Sequence, residues 1–190
     1  MTTPTVRRRW PIVATAAVLV GGALGATAVA LVGSAQRRDD RKAYLRYESA
    51  VLPIVREGGR VVQQEMKPSI RELGGNEITQ KTAVDRAAGW RAVFTRIGAD
   101  LIALDPPGFL GDIGRRWSIA VDGYLKIPDL FDQAAKQTGS ARAALLAQAA
   151  AAGDSADKLF DDAAGVLQYH RRRLGLGSTS QLPDPAATAH

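Results

Sequence analysis

Cysteine is absent from the 190-residue chain, which excludes disulfides, thiolate metal sites, cysteine nucleophiles and the lipidated cysteine of a bacterial lipoprotein. Histidine is nearly absent: only His170 and His190 occur, leaving little for imidazole chemistry. Strand signals are missing as well. After residue 42 the apolar residues recur every three or four positions, with no run of alternation and no pair of strands around a short turn. Without strands, no Walker or dinucleotide glycine loop has its usual setting, and no Gly-x-Ser-x-Gly elbow is present. The chain is therefore read as non-enzymatic, with no catalytic residue, no cofactor and no metal expected.

One long stretch is instead without charge. From Trp10 to Gln36 there is no Asp, Glu, Lys or Arg, and Pro11 to Gly33 is apolar or small throughout. As a helix these positions reach about 34 Å, enough for a hydrocarbon core of about 30 Å. Arg7, Arg8 and Arg9 precede the stretch, and Arg37, Arg38, Arg41 and Lys42 follow it. The expectation is a basic tail over 1–10, a transmembrane signal anchor over 11–35 and a basic juxtamembrane linker over 36–42. The competing possibility is a cleaved signal peptide that releases a secreted helical protein, because Gly33-Ser34-Ala35 suits a signal peptidase. A signal h-region of 7–15 residues is shorter than this stretch, which favours the anchor. A short Arg-rich start resembles an export n-region, so the body is placed outside the cytoplasm. Within the span, Ala17, Gly21 and Gly25 recur every four residues, the spacing at which two helix backbones approach closely, and a homodimer through this face is possible.

The body, 43–173, carries four apolar stripes. The first runs Tyr44, Tyr47, Val51, Val55, Val62, Met66, with Pro53 and Gly58-Gly59 loosening it and Pro68, then Gly74-Gly75, ending it. The second is Val84, Ala87, Trp90, Phe94, Ile97, Leu101, Leu104, with Thr82 as its expected N-cap and Asp85 three residues on. The third is Ile113, Trp117, Ala120, Tyr124, Ile127, Phe131, Ala134. The fourth is Leu145, Gln148, Ala152, Leu159, Ala163, Val166, with a possible split at Gly153-Asp154. Amphipathic helices with short connections predict an all-α fold: one N-terminal transmembrane helix followed by an extracytoplasmic up-down four-helix bundle. Residues 174–190 lack the apolar content to overcome ordering entropy and are read as a flexible tail.

The net charge of +6 invites a nucleic-acid reading, but its distribution argues otherwise. Residues 1–10 carry +3, 37–42 carry +2, 43–173 carry +2 and the tail −1. The excess flanks the span, so membrane lipid and another envelope protein are the expected partners and nucleic acid is not. In an up-down bundle the 105–111 loop and the end of the fourth helix return toward the lipid. That would join Arg115, Arg116, Arg171, Arg172 and Arg173 to Arg37, Arg38, Arg41 and Lys42 as a basic collar.

Four features bear on chemistry. Asp154, Asp157, Asp161 and Asp162 cluster on one helix, but the facing Glu-x-x-His pattern of bundle metal sites does not occur, so capping and a solvated face account for them. His170 precedes three arginines at a helix end, where a basic side chain suits the dipole. Trp90, Trp117, Tyr124 and Phe131 pack a core or, in an alternative reading, line a small-ligand or sensory pocket between the second and third helices. Glu48 falls on the first stripe and could be a partly buried carboxylate, although such a residue more often reaches water at a helix edge or pairs with an Arg. An anchored helical bundle resembles the sensory domains of bacterial receptors; that resemblance supplies an architecture and no residues.

Overall fold

The computed structural model describes the backbone of residues 12–177 and the side chains of residues 35–177. Every regular element among them is helical: α1 (Ile12–Val61), a π turn (Val62–Met66), α2 (Lys67–Gly74), α3 (Gln80–Ala103), a short 3-10 turn (Gly108–Leu110), α4 (Ile113–Ala135) and α5 (Gly139–Arg173). The chain divides into two units, residues 1–41 and 42–190. Among the described residues no helix is long and apolar enough to cross a membrane. The span expected over 11–35 rests on side chains that lie outside the described residues, as do Ala17, Gly21 and Gly25.

Polar pairs fix the helix directions within the second unit. Tyr44 meets Leu167 and Lys67 meets Asp157, so α1–α2 runs against α5. Glu57 pairs with Arg96 and Glu72 with Arg86, so it also runs against α3. Trp90 stacks on Phe131 and Arg91 pairs with Asp129, which sets α3 against α4. Trp117 meets Phe160 and Tyr124 meets Asp157, setting α4 against α5. Each helix is thus antiparallel to both neighbours around a bundle-like core.

The first three stripes become that core. Tyr44, Val51, Met66, Ala87, Trp90, Phe94, Ile97 and the whole third stripe from Ile113 to Ala134 are buried. The fourth is shifted. Its first half buries Leu146, Ala149, Gly153 and Ala156, while Gln148 is exposed. Residues 141–152 are mostly alanine, so one face is hardly more apolar than the next and the phase is set by what α4 offers. That partner is Gly123, where an added Cβ would stand 2.9 Å from the Ala156 Cβ; small residues on both sides let α4 and α5 close together.

Local signals were overridden at three places. α5 is continuous through Gly153-Asp154, and the expected split is absent: Gly153 is buried facing Ile127, and Asp157 bonds to other helices instead of capping a new one. The α3 N-cap is Thr79, not Thr82. The Thr79 Oγ1 accepts the Thr82 amide at 3.1 Å, and Asp85 pairs with Lys81 at 2.6 Å. Pro68 does not end the first rod. The π turn, in which the Lys67 N–H reaches back five residues to the Val62 carbonyl, delivers Pro68 to the opening positions of α2, where a missing N–H costs little.

Two helix ends share one closure. Asn76, at φ 58°, follows α2, with Asn76 N–H to Leu73 O at 3.2 Å and Glu77 N–H to Glu72 O at 2.8 Å. Gly175, at φ 69°, follows α5, with Gly175 N–H to Arg172 O at 2.9 Å and Leu176 N–H to Arg171 O at 3.0 Å. Residues 174–177 are therefore tied to the bundle. The rest of the expected tail, 178–190, lies outside the described residues.

Candidate functional site

One end of the bundle gathers residues 42–50, the loop between α3 and α4, and the last turn of α5. Its centre is polar and buried. The Tyr44 hydroxyl lies 2.9 Å from the Leu167 carbonyl oxygen and 3.0 Å from Glu48 Oε1, so one proton serves two acceptors. Arg171 pairs with Glu48 through Nη1 and donates from Nε to the Gly177 carbonyl at 3.1 Å. Burial, then the Glu48 charge, pushes the Tyr44 hydroxyl well above its ordinary pKa. Burial raises Tyr47 too, opposed by the Trp117 indole N–H beside it.

The rim of this end is aromatic and apolar. The Phe109 ring lies 5.7 Å from that of His170, which meets Tyr169 edge-on at 5.1 Å. Burial, followed by the Arg173 charge, lowers the His170 pKa. A groove of about 660 Å³ runs between residues 43–50 and the 104–108 loop, with Arg46 and Asp105 on its walls. Among the described residues four large apolar side chains stand out in solvent: Ile102 (73% exposed), Tyr169 (55%), Leu45 (41%) and Ile119 (41%). Leu45, Ile102 and Tyr169 come from the beginning of the bundle's first helix, the end of α3 and the end of α5, and so from this same end; Ile119, in the second turn of α4, lies beside Ala151, Ser155 and Leu159 near the middle of α5.

Six of the nine expected collar residues belong to this end. Lys42, Arg115, Arg172 and Arg173 are exposed. Arg116 bonds Asp112 at 3.0 Å, with Arg115 3.6 Å from the same carboxyl, and these contacts hold Asp112 below the usual carboxylate range. Arg171 is different: its side chain is 17% exposed and turned inward to Glu48. Arg37, Arg38 and Arg41 are exposed on α1 within the first unit. Charge does not single out this end, since residues 66–90 and 125–146 at the opposite end hold as many Lys and Arg as residues 42–50, 100–118 and 166–177. The exposed apolar side chains do, and sequence pattern had not flagged them. Ile102 sits one position past Leu101, just off the buried stripe, where helical phase places it outside.

The four candidate aromatics separate. Trp90, Trp117 and Phe131 are core: Trp90 lies 4.9 Å from Phe131, and Trp117 lies 5.0 Å from Phe160. Tyr124 alone reaches a cavity, of about 230 Å³, between α1, the π turn, α4 and α5 rather than between the second and third rods. Its hydroxyl donates to Asp157 Oδ1 at 2.6 Å, while Lys67 holds Oδ2 at 2.9 Å. Ser155 and Lys158 have the three-residue spacing of a Ser-x-x-Lys nucleophile. Both are exposed, and the Ser155 hydroxyl is spent on the Ala151 carbonyl at 2.9 Å. Among the described residues no group of three or more His, Asp or Glu is placed to hold a metal ion. No protein-family model, no curated protein and no solved structure matches this chain.

Proposed function

We propose that the chain is a single-pass, membrane-anchored interaction module of the cell envelope, whose extracytoplasmic up-down four-helix bundle works by binding membrane lipid or another envelope protein, without catalysis. The observation that carries this is the placement of Leu45, Ile102 and Tyr169. Exposed large apolar residues scattered over a surface mean little; here three of the four among the described residues lie at the end where residue 42 enters the bundle. The uncharged stretch to Gln36 ends six residues earlier, a distance of at most about 21 Å for an extended chain. An apolar end so close in chain length to a hydrocarbon-length segment is where a lipid surface or a membrane-embedded partner would sit. Lys42, Arg46, Arg115, Arg172 and Arg173 then supply charge for anionic headgroups.

The absence of cysteine makes the test clean, because any introduced thiol is the sole labelling site. Nitroxides placed by Ile102→Cys and Tyr169→Cys in the full chain, reconstituted in anionic bilayers, should collide with dissolved oxygen more than with a water-soluble nickel chelate. Labels at Asn76→Cys and Gln137→Cys should do the reverse. Identical, water-like profiles at all four positions would overturn the lipid-facing assignment. Recovery of the whole polypeptide in a high-speed supernatant without detergent would overturn the anchor.

A further inference from the structure

The cavity beside Tyr124 stands apart from the bundle end just described and holds an unbalanced charge. Gly59 contributes no side chain to its wall, the π turn contributes Val62 and Gln63, and the rings of Tyr124 and Phe160 stand 6.3 Å apart at 68°, two walls at nearly a right angle. Asp157 and Asp161 supply the polar lining. They are not equivalent. Both oxygens of Asp157 are engaged, one by the Tyr124 hydroxyl and the other by Lys67, which does not line this cavity. Asp161 makes no hydrogen bond or ion pair among the described residues. The charges that act on it are two more carboxylates, Asp157 and Asp162. Burial, then those two neighbours, raises its pKa, consistent with a carboxylate that has no cation beside it.

The chemistry of the lining narrows the occupant. Carboxylates disfavour an anion. A bare divalent cation needs six or more oxygen ligands, and with Asp157 occupied only one carboxylate is free. Aromatic faces at right angles attract a weakly hydrated positive charge through their quadrupoles, and do so best when the cation carries alkyl groups that also gain from leaving water. At about 30 Å³ per water-sized group, 230 Å³ accommodates roughly seven or eight non-hydrogen atoms. We infer that this cavity binds a small alkylated ammonium ion, with Asp161 as its counter-ion and the Tyr124 and Phe160 rings as two sides of a cage.

The probe is choline chloride, titrated into the full chain in a maltoside detergent free of choline lipids, with sodium chloride at equal ionic strength as blank. Trp117, 5.0 Å from Phe160, reports occupancy by fluorescence, and calorimetry gives the stoichiometry. Saturable one-to-one binding is expected, with the neutral isostere 3,3-dimethylbutan-1-ol at least about tenfold weaker. Asp161→Asn should weaken choline by about tenfold or more, Asp161→Glu by much less, and Phe160→Leu, which keeps bulk but removes the ring, by about fivefold. Equal binding of choline and its isostere, unchanged affinity in Asp161→Asn, or no saturable signal above the salt blank would each overturn the assignment. If Asp161→Asn does not fold, as judged by circular dichroism, the isostere comparison on the unaltered chain decides.

Discussion

Removing the guanidinium of Arg171 tests the buried network more sharply than any other single change. Arg171→Ala leaves the Glu48 carboxylate, 6% exposed, with one remaining partner, the hydroxyl of Tyr44, whose proton the Leu167 carbonyl also takes. Breaking a buried pair by deleting one member costs about 3–5 kcal/mol, because the survivor stays desolvated and uncompensated. Since Arg171 keeps 17% of its side chain in water, the lower figure applies, about 3 kcal/mol. For a chain of this size that lowers Tm by about 6–12 °C. The paired replacement Glu48→Gln with Arg171→Met removes both charges at similar volume and should recover most of the loss. The assay is a double-mutant cycle over Glu48→Gln, Arg171→Met and their combination, with Arg171→Ala alongside, by urea denaturation of the full chain followed by circular dichroism. A coupling energy below about 0.5 kcal/mol, with Arg171→Ala near wild type, would refute the claim that this pair is dry and structurally committed. It would also free Arg171 for the role in a basic collar that its neighbours Arg172 and Arg173 can play.

Other consequences are open to measurement. Gly123→Ala should destabilise by about 1–3 kcal/mol, because its Cβ would fall 2.9 Å from that of Ala156, whereas Gly89→Ala, with open space around it, should stabilise α3 by about 1 kcal/mol; chemical denaturation of the two variants gives opposite signs. His170 binds its proton less readily folded than unfolded, so stability should fall as the pH drops below about 6.5, and His170→Gln should flatten that part of the stability profile. Asp161 is the reverse case: the folded state retains its proton to a higher pH, so ionisation at neutral pH weakens the fold. Asp161→Asn should raise Tm at pH 7, with the gain vanishing below about pH 4, where both states are protonated. Phe131→Ala should cost about 3–5 kcal/mol, since that ring is fully buried against Trp90.

How much of this could be read from residue order depends on the range of the signal. Trp90, Phe94, Ile97 and Leu101 lie on one helical face and are large, so their burial follows from spacing alone, and the same holds from Ile113 to Ala134. The alanine run of α5 has no such contrast, and its buried face was misplaced by one residue until α4 supplied Gly123. Glu48 was legible as a carboxylate on an apolar stripe. Its partner, 123 positions away, was not, because an ion pair between distant residues leaves no local trace. Asp157 looked like a cap beside Gly153 for the same reason: its bonds to Tyr124 and Lys67 come from other helices. The cavity required three helices and a π turn, and the only advance hint was that Tyr124 carries a hydroxyl on an otherwise oily face.

The contact between Tyr44 and Leu167 has a practical corollary. Residues 42 and 177 lie at a single pole of the bundle, so anything joined directly to either one starts from the same place. A bulky tag joined directly after residue 177 would crowd whatever docks there, and a pull-down that fails with such a tag says little about binding. The antipodal turns, 75–79 and 136–138, carry neither terminus, which makes them the better places for an inserted epitope or a circular permutation break.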